Sequence, residues 1–437
     1  MAGMPGHTLV VMAQGPGRFA TPGDRSGEPP GRLSAWRFVV WFGAVAMLAD
    51  VVYEGARSIT GPFLAHLGAS ALVVGVVTGV GEAAALVLRL VSGPLADRTG
   101  RFWAWAIAGY GLTVVSVPLL GLTSVLWVAC ALIVAERVGK AVRQPAKDTL
   151  LSHAAAVTGR GRGFAVHEAL DQAGALVGPL AVAGVLAATG DDYGPALLVL
   201  AVPGALALAL VVWLRVQVPR PVRYERATPA EPGERTSRRV PGATEVARLP
   251  GRFWAYAGFA GLTMTGFATF GVLSFHLVSA GLLPASAVPV LYAAAMVVDA
   301  LAAVATGWAY DRYGAVVLVV LPVVAALVPA LAFSATVGMA VAGVVLWGAL
   351  LGVQESTLKA TVADLVGPGR RATAYGVFGA VVGVAAAAGG ALAGGLYETS
   401  VPLLVAVTGA LQLVALGVLV SIVCGRWGPH RPPGATR

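Results

Sequence analysis

The chain has 437 residues, 57% of them hydrophobic and only 12% charged, with a mean hydropathy of +0.79. A soluble domain carries about twice that share of charge, so a water-soluble globular fold is excluded. The formal charge of +9 sits in short gaps between apolar runs, which reads as membrane topology and not as a nucleic-acid footprint.

Residues 1–35 hold much Gly, Pro and Arg and are expected to form a disordered N-terminus. Their stretch "HTLVVMAQ" is too short for the core of a signal peptide. Apolar runs then recur, each long enough to cross a bilayer. The predicted spans are 38–64, 70–96, 102–124, 125–149, 163–188 and 193–216, then 252–281, 286–310, 315–334, 337–364, 371–396 and 401–425. The alternating ten-residue segments of a β-barrel are absent. The expected fold is an all-α polytopic membrane protein with twelve transmembrane helices in two six-helix bundles. The bundles cover 36–216 and 252–425, joined by a 217–251 linker and followed by a 426–437 tail. Cys130 and Cys424 both lie inside apolar runs, so neither a disulfide framework nor a metal-ligand spacing follows. No metal and no cofactor is expected.

Orientation follows from Lys and Arg. One set of gaps carries Arg37, Arg98, Arg101, Arg160, Arg162, Arg312, Arg370, Arg371 and the Arg-rich linker. The other set, "LGAS", "GLTS", "TGDDYG", "GLLPAS", "SATVG" and "YETS", has neither Lys nor Arg. Both termini are therefore predicted cytoplasmic. The halves also echo each other: "GPLADRTG" at 93–100 matches "GWAYDRYG" at 307–314, and "ERVGKA" at 136–141 matches "ESTLKA" at 355–360. Such a repeat points to a two-bundle transporter with its site between the halves.

About fourteen ionisable groups lie within the spans. A charge at the bilayer centre costs roughly 2.5–3.5 kcal/mol on insertion scales, so each needs a partner or water. Asp50, Glu54 and Arg57 follow i, i+4, i+7 and share one helix face, with Tyr53 four residues before Arg57. Glu136, Lys140, Arg143 and Lys147 form another stripe, and Arg137 points about 100° away from Glu136 toward a different neighbour. Asp50, Glu82, Arg137 and Asp299 fall near mid-depth. Asp299 is read either as a cap on a polar network or as a proton site. A carboxylate in low dielectric binds its proton more tightly, and a nearby Arg reverses this. The substrate and proton pathway is therefore assigned to Asp50, Glu54, Arg57, Glu136, Arg137, Lys140, Glu355 and Lys359. The proton carrier is expected among Asp50 or Glu54 with Arg57, and Glu136 with Arg137. Arg89, Arg143, Glu168 and Asp171 are expected in an ion-pair network, with Arg143 reaching Asp171 or Glu168. Thr263, Phe267, Phe270 and Ser274 form a mixed aromatic and hydroxyl stripe, and ordinary packing is the slightly preferred reading of it. His276 is read as a structural hydrogen-bonder, and Trp36, Trp103, Trp127 and Trp254 as interface anchors.

Twelve spans with G-x-L-A-D-R-x-G-R after the second resemble the major facilitator superfamily over residues 36–425. Gly93, Asp97, Arg98, Gly100 and Arg101 match that family's loop motif. Gly307, Asp311, Arg312 and Gly314 give a looser second copy. Arg137 resembles the arginine of the fourth-helix motif. Gly174, Gly178 and Pro179 resemble the fifth-helix antiporter motif, whose double glycine is replaced here by "VAG". The resemblance implies helices 1, 4, 7 and 10 around a central cavity and alternating access by rocking of the halves. It also implies that Asp97, with Asp311 and Arg312 in the second copy, belongs to the gate.

The function expected is secondary active transport of a small organic solute, proton-coupled, with efflux antiport or uptake symport as its direction. The expected surroundings are the lipid bilayer of the cell membrane, a small-molecule substrate, protons, no nucleic acid and no second copy, the chain acting as a monomer. No phosphate-cradling loop argues for ATP drive. A polytopic membrane enzyme needs a clustered nucleophile or metal set, but the six His are scattered and neither HExxH nor GxSxG occurs. A transporter-fold sensor needs a long soluble domain, and the longest soluble segment is the linker.

Overall fold

The computed structural model describes residues 33–226, 249–367 and 370–426. The expectations for the disordered N-terminus, most of the linker and the tail fall outside these residues. Every regular element among the described residues is helical. In chain order the passages are α1 (Ala35–His66), α2 (Ala71–Thr99), α3 (Phe102–Leu120), α4 (Leu126–Thr158), α5 (Arg160–Thr189) and α6 (Tyr193–Gln217). They continue as α7 (Gly251–Ser279), α8 (Ala287–Tyr313) and α9, a 3-10 turn over Gly314–Val319 running into Val320–Ala332. The last are α10 (Val337–Leu365), α11 (Arg371–Thr399) and α12 (Val401–Arg426).

Among the described residues, ten stretches are long and apolar enough to cross a membrane. One of them, Ala287–Ala332, spans 46 residues and contains both α8 and α9. The charges of α4 keep it outside that set, although its 33 residues exceed the length needed. Twelve passages are consistent with this accounting.

Serines start two of the helices: Ser34 accepts from Arg37 N and Ser70 from Val73 N, each at 3.4 Å. Small residues then let helices meet at backbone distance, as lipid-embedded helices require. Gly174 and Gly178 of α5 press on the backbone of α1 at Met47 and Val51. Along α2 and α11, Gly75 faces Gly390, Gly79 faces Ala386 and Ala387, and Gly394 faces Ala71. A Cβ on any of these would collide with the opposite backbone.

Three expectations are corrected. The span read as continuous over 252–281 is broken: Gly251–Thr265 and Phe270–Ser279 are separate helices around Gly266–Thr269. The fourth span runs nine residues past its predicted end of 149, to Thr158, because amphipathic helix continues beyond the apolar run. Trp103 is a core residue at 8% exposure, edge-on to Phe38 and Phe42, each at 6.2 Å. Trp36, Trp127 and Trp254 are exposed, as interface anchors are.

Candidate transport site

The charged residues of α1, α2 and α4 meet in one cluster. Glu82 of α2 is the shared partner: its Oε1 lies 3.1 Å from Arg57 Nη2 and 3.2 Å from Arg137 Nη1. Arg57 also reaches Glu54 Oε1 at 3.5 Å, and Arg137 Nε reaches Glu136 Oε2 at 3.4 Å. Lys140, one turn beyond Glu136, supplies a third cation. Its Nζ sits 3.8 Å from the centre of the Tyr53 ring, and the Arg137 guanidinium covers the same ring at 4.5 Å. Arg137 Nη1 also donates to the Tyr53 hydroxyl. Three carboxylates and three cations make the cluster formally neutral, which limits the cost of holding them away from water.

Helical spacing puts Glu54 beside Arg57 and Glu136 beside Lys140. For Arg137 it foresees a neighbour other than Glu136 without naming Glu82. The wheel turns its Cβ away from Glu136, but the long stem carries the guanidinium back, so it serves Glu136 and Glu82 together.

The cluster is tied to the later helices by Tyr292 of α8, whose hydroxyl donates to Glu54 Oε2 at 2.5 Å. Tyr292 belongs to an aromatic group. Phe270 of α7 meets it at 4.5 Å between centroids, and Trp347 of α10 lies 6.3 Å away and stacks on Phe267 at 6.0 Å. The break in α7 releases the Ala268 carbonyl, which accepts from Trp347 Nε1 at 3.0 Å. Thr269 beside it contacts Thr78 of α2 at 2.8 Å, hydroxyl to hydroxyl. Of the stripe read on helix 7, Phe267 and Phe270 join this group. Thr263 and Ser274 are buried and donate to carbonyls of their own helix.

Asp50 does not join its α1 neighbours. It lines a separate cavity of about 20 Å³ with Tyr110, Lys140, Arg143, Lys147 and Asp171. There Lys147 Nζ pairs with Asp171 Oδ2 at 3.7 Å. Arg143 turns toward α3, donating to Thr113 Oγ1 at 2.6 Å and covering the Tyr110 ring at 5.1 Å. The expected pairing of Arg143 with Asp171 or Glu168 is therefore replaced by Lys147 with Asp171, and Glu168 is exposed. Arg89 Nε has no hydrogen-bond partner among the described residues. Glu355, on a π-helical turn at Gln354–Leu358, and Lys359 just beyond it are both exposed. Neither makes an ion pair among the described residues. Asp299 is buried, and its Oδ1 has no hydrogen-bond partner among the described residues.

The family model of the Major Facilitator Superfamily matches residues 40–390. The chain belongs to that superfamily. An uncharacterized protein of Mycobacterium tuberculosis (strain H37Rv) is 63% identical over 406 residues, spanning 93% of this chain and 98% of that one. An uncharacterized MFS-type transporter of Methanocaldococcus jannaschii is 28% identical over 141 residues, which are 32% of this chain and 35% of that one. A crystal structure of the nucleoside transporter NupG superposes with a TM-score of 0.73 at 14% identity, covering 88% of this chain and 99% of that chain. A bacterial homolog of the human lysosomal transporter Spinster, inward-facing and unoccupied, gives 0.65 at 15% identity over 92% of this chain and 100% of that chain. At those identities the structures establish a shared fold. The family makes this a multi-pass membrane transport protein.

The superfamily's loop motif falls at the end of α2. Gly100 takes φ 62°, a left-handed turn that suits glycine, and its N–H closes the helix on Ala96 O at 2.9 Å. Asp97 lies in the last turn, and Arg98 and Arg101 are exposed. Gly93 does not mark a close approach of helices. A Cβ there would stand 3.7 Å from Pro145, an ordinary contact that a methyl group could fill. In the second copy Gly314 also has positive φ, Gly307 faces open space, and Asp311 and Arg312 are exposed. Gly174 and Gly178, followed by Pro179, serve the α1–α5 contact described above.

At the arginine-poor end two carboxylates cap helices from a distance. Glu398, at the end of α11, accepts from Leu72 N at the start of α2 at 2.8 Å. Asp191, just after α5, accepts from Ser286 N at the start of α8 at 2.9 Å. Asp191 is the one non-glycine residue with positive φ, 65°, among the described residues, so its backbone is bent to make this reach. His276 bridges Tyr397 OH at 2.9 Å and Ser334 O at 3.1 Å, which bears out its structural reading.

Sequence reasoning placed Glu82 at mid-depth but left it out of the pathway. Tyr292 had no local signal, because its carboxylate partner is 238 residues away.

Proposed function

We propose that the chain is a proton-coupled secondary transporter of a small organic solute, working by alternating access as a monomer in the cell membrane with both termini cytoplasmic. The observation that carries this reading is the single carboxylate, Glu82, held between two guanidiniums from different helices. Its side chain keeps 27% exposure against 9% for Glu54 and 8% for Glu136, so it is the carboxylate of the cluster most open to a proton from water. Protonating Glu82 removes the charge that Arg57 and Arg137 share. Both cations then depend on Glu54 and Glu136 alone, and the helices that carry them are released from a common anchor. Because Glu54 also holds Tyr292, the change is felt on α8.

The aromatic group facing the charges suits the apolar body of an organic solute, and the guanidiniums released by protonation suit an anionic or polar substituent. The two groups come from passages before and after the linker, which fits a site formed between two six-helix bundles that rock against each other. Export is the direction we carry forward, on the likeness of Gly174, Gly178 and Pro179 to the fifth-helix antiporter motif.

The test is reconstitution in proteoliposomes with a pH-sensitive dye and a compound library. A compound that drives proton movement in the parent and not in Glu82→Gln supports the coupling. Proton movement opposite to the compound supports export, and movement with it supports uptake by symport. Undiminished proton movement in both Glu82→Gln and Glu136→Gln overturns the assignment.

A further inference from the structure

A cavity of about 950 Å³ lies at the arginine-rich end, apart from the transport site. Its walls come from the start of α3 and from the chain that leaves α6. That chain is fixed in place: Tyr224 donates to Leu33 O at 2.8 Å and packs on Phe38 at 5.9 Å between centroids. It therefore presents Arg220 and Arg223 in a built position, beside Arg215 from the last turn of α6 and across from Arg101.

The lining is one-sided. Four arginines face the cavity and no Asp or Glu lines it. None of the four has an ion-pair partner among the described residues. Arg101 precedes α3 without a side-chain cap on that helix. Trp103, another lining residue, is buried at 8% exposure, and its indole N–H has no acceptor among the described residues. Membrane topology explains why arginines lie on this face. It does not explain why four of them converge on one concavity that no carboxylate lines. Val216, Val222 and Leu150 add apolar wall beside the charges.

We infer that this cavity binds a phosphate-bearing anion, held by the arginine forks, with apolar substance beside it. Guanidinium groups match phosphate oxygens in pairs, and the apolar wall suits an acyl-glycerol stem. Two sources share this chemistry: an anionic phospholipid headgroup and a soluble phosphate. The site stands independently of coupling and direction of transport.

The purified full chain, in detergent, is offered mixed micelles of phosphatidylglycerol or phosphatidylcholine, and separately inorganic phosphate. Retained lipid is read by native mass spectrometry and the thermal midpoint by fluorescence. The parent is expected to retain phosphatidylglycerol at least about tenfold over phosphatidylcholine. Arg220→Gln with Arg223→Gln abolishes that preference, and the corresponding lysine pair restores most of it. Val222→Trp, which sets an indole among the lining residues and leaves every arginine, weakens it as well. A thermal shift with inorganic phosphate alone, lost in the glutamine pair, assigns the soluble source and supports the site. Absence of both effects in the parent, or equal effects in parent, glutamine pair and Val222→Trp, overturns it.

Discussion

The clusters before and after the linker handle polarity in opposite ways. In α1, α2 and α4 the charges are gathered: Glu54, Arg57, Glu82, Arg137 and Glu136 are joined in that order by four ion pairs. In α7, α8 and α10 the corresponding depth is filled by Phe270, Tyr292 and Trp347. The contrast is sharpest at the repeated motif. Glu136 of "ERVGKA" is buried and paired, whereas Glu355 of "ESTLKA" is exposed without an ion-pair partner among the described residues. A repeat in sequence therefore does not carry its environment with it. Arginine neighbours make a buried carboxylate tenable, and the ion pairs of Glu136 and Glu54 come from the first set of helices.

The largest expected effect removes that supply. Arg137→Gln leaves Glu82 and Glu136 without their shared cation, and breaking a buried pair costs about 3–5 kcal/mol. The purified variant is expected to show a sharply lowered thermal midpoint, and an unchanged midpoint breaks the contrast. Next is the tie between the regions. Tyr292→Phe keeps the ring and deletes the hydroxyl that Glu54 accepts from, a hydrogen bond to charge worth about 1.5–3 kcal/mol. Transport in proteoliposomes should slow by about tenfold or more, and a rate within error of the parent detaches the aromatic group from the charges. A smaller change is expected from Glu398→Gln combined with Asp191→Asn, which weakens both distant caps. Helix caps are worth about 0.5–2 kcal/mol each. Cysteine probes at the arginine-poor end should then label severalfold faster, and equal labelling would show that the caps do not hold that end closed. The smallest effect is reserved for Glu355→Gln, expected to leave transport within about twofold because no paired cation is lost. A collapse of activity there would place proton chemistry in the later helices after all.

Much of this was legible in the sequence. Hydropathy fixes spans because lipid demands them, and every predicted passage appears within a few residues except at the far end of α4. The break at Gly266–Thr269 was hidden because its residues are as apolar as the helices around it. Spacing correctly joined Glu54 to Arg57, since i, i+3 neighbours on a helix meet wherever the helix is placed. It left the second neighbour of Arg137 unnamed, and it failed for Asp50. A wheel fixes where a Cβ points, but the reach of a long side chain and the neighbours offered by other helices decide its partner. Glu82 as the shared carboxylate, and Tyr292 as the link to the aromatic group, are products of tertiary assembly, and no window along the chain contains them.

The glycine track between α2 and α11 has an electrical meaning. Gly75 against Gly390, Gly79 against Ala387 and Gly394 against Ala71 close the seam backbone to backbone. A file of water needs polar partners and about one probe sphere of space at each step, and this seam provides neither. It is insulation. In the coupling proposed above, a proton taken up at Glu82 lies among the carboxylates of the charged cluster, while the glycine seam offers it no wire. A transporter driven by a proton gradient, as proposed for this chain, must not leak it where its moving parts meet, and a seam of small residues packed backbone to backbone suits that need.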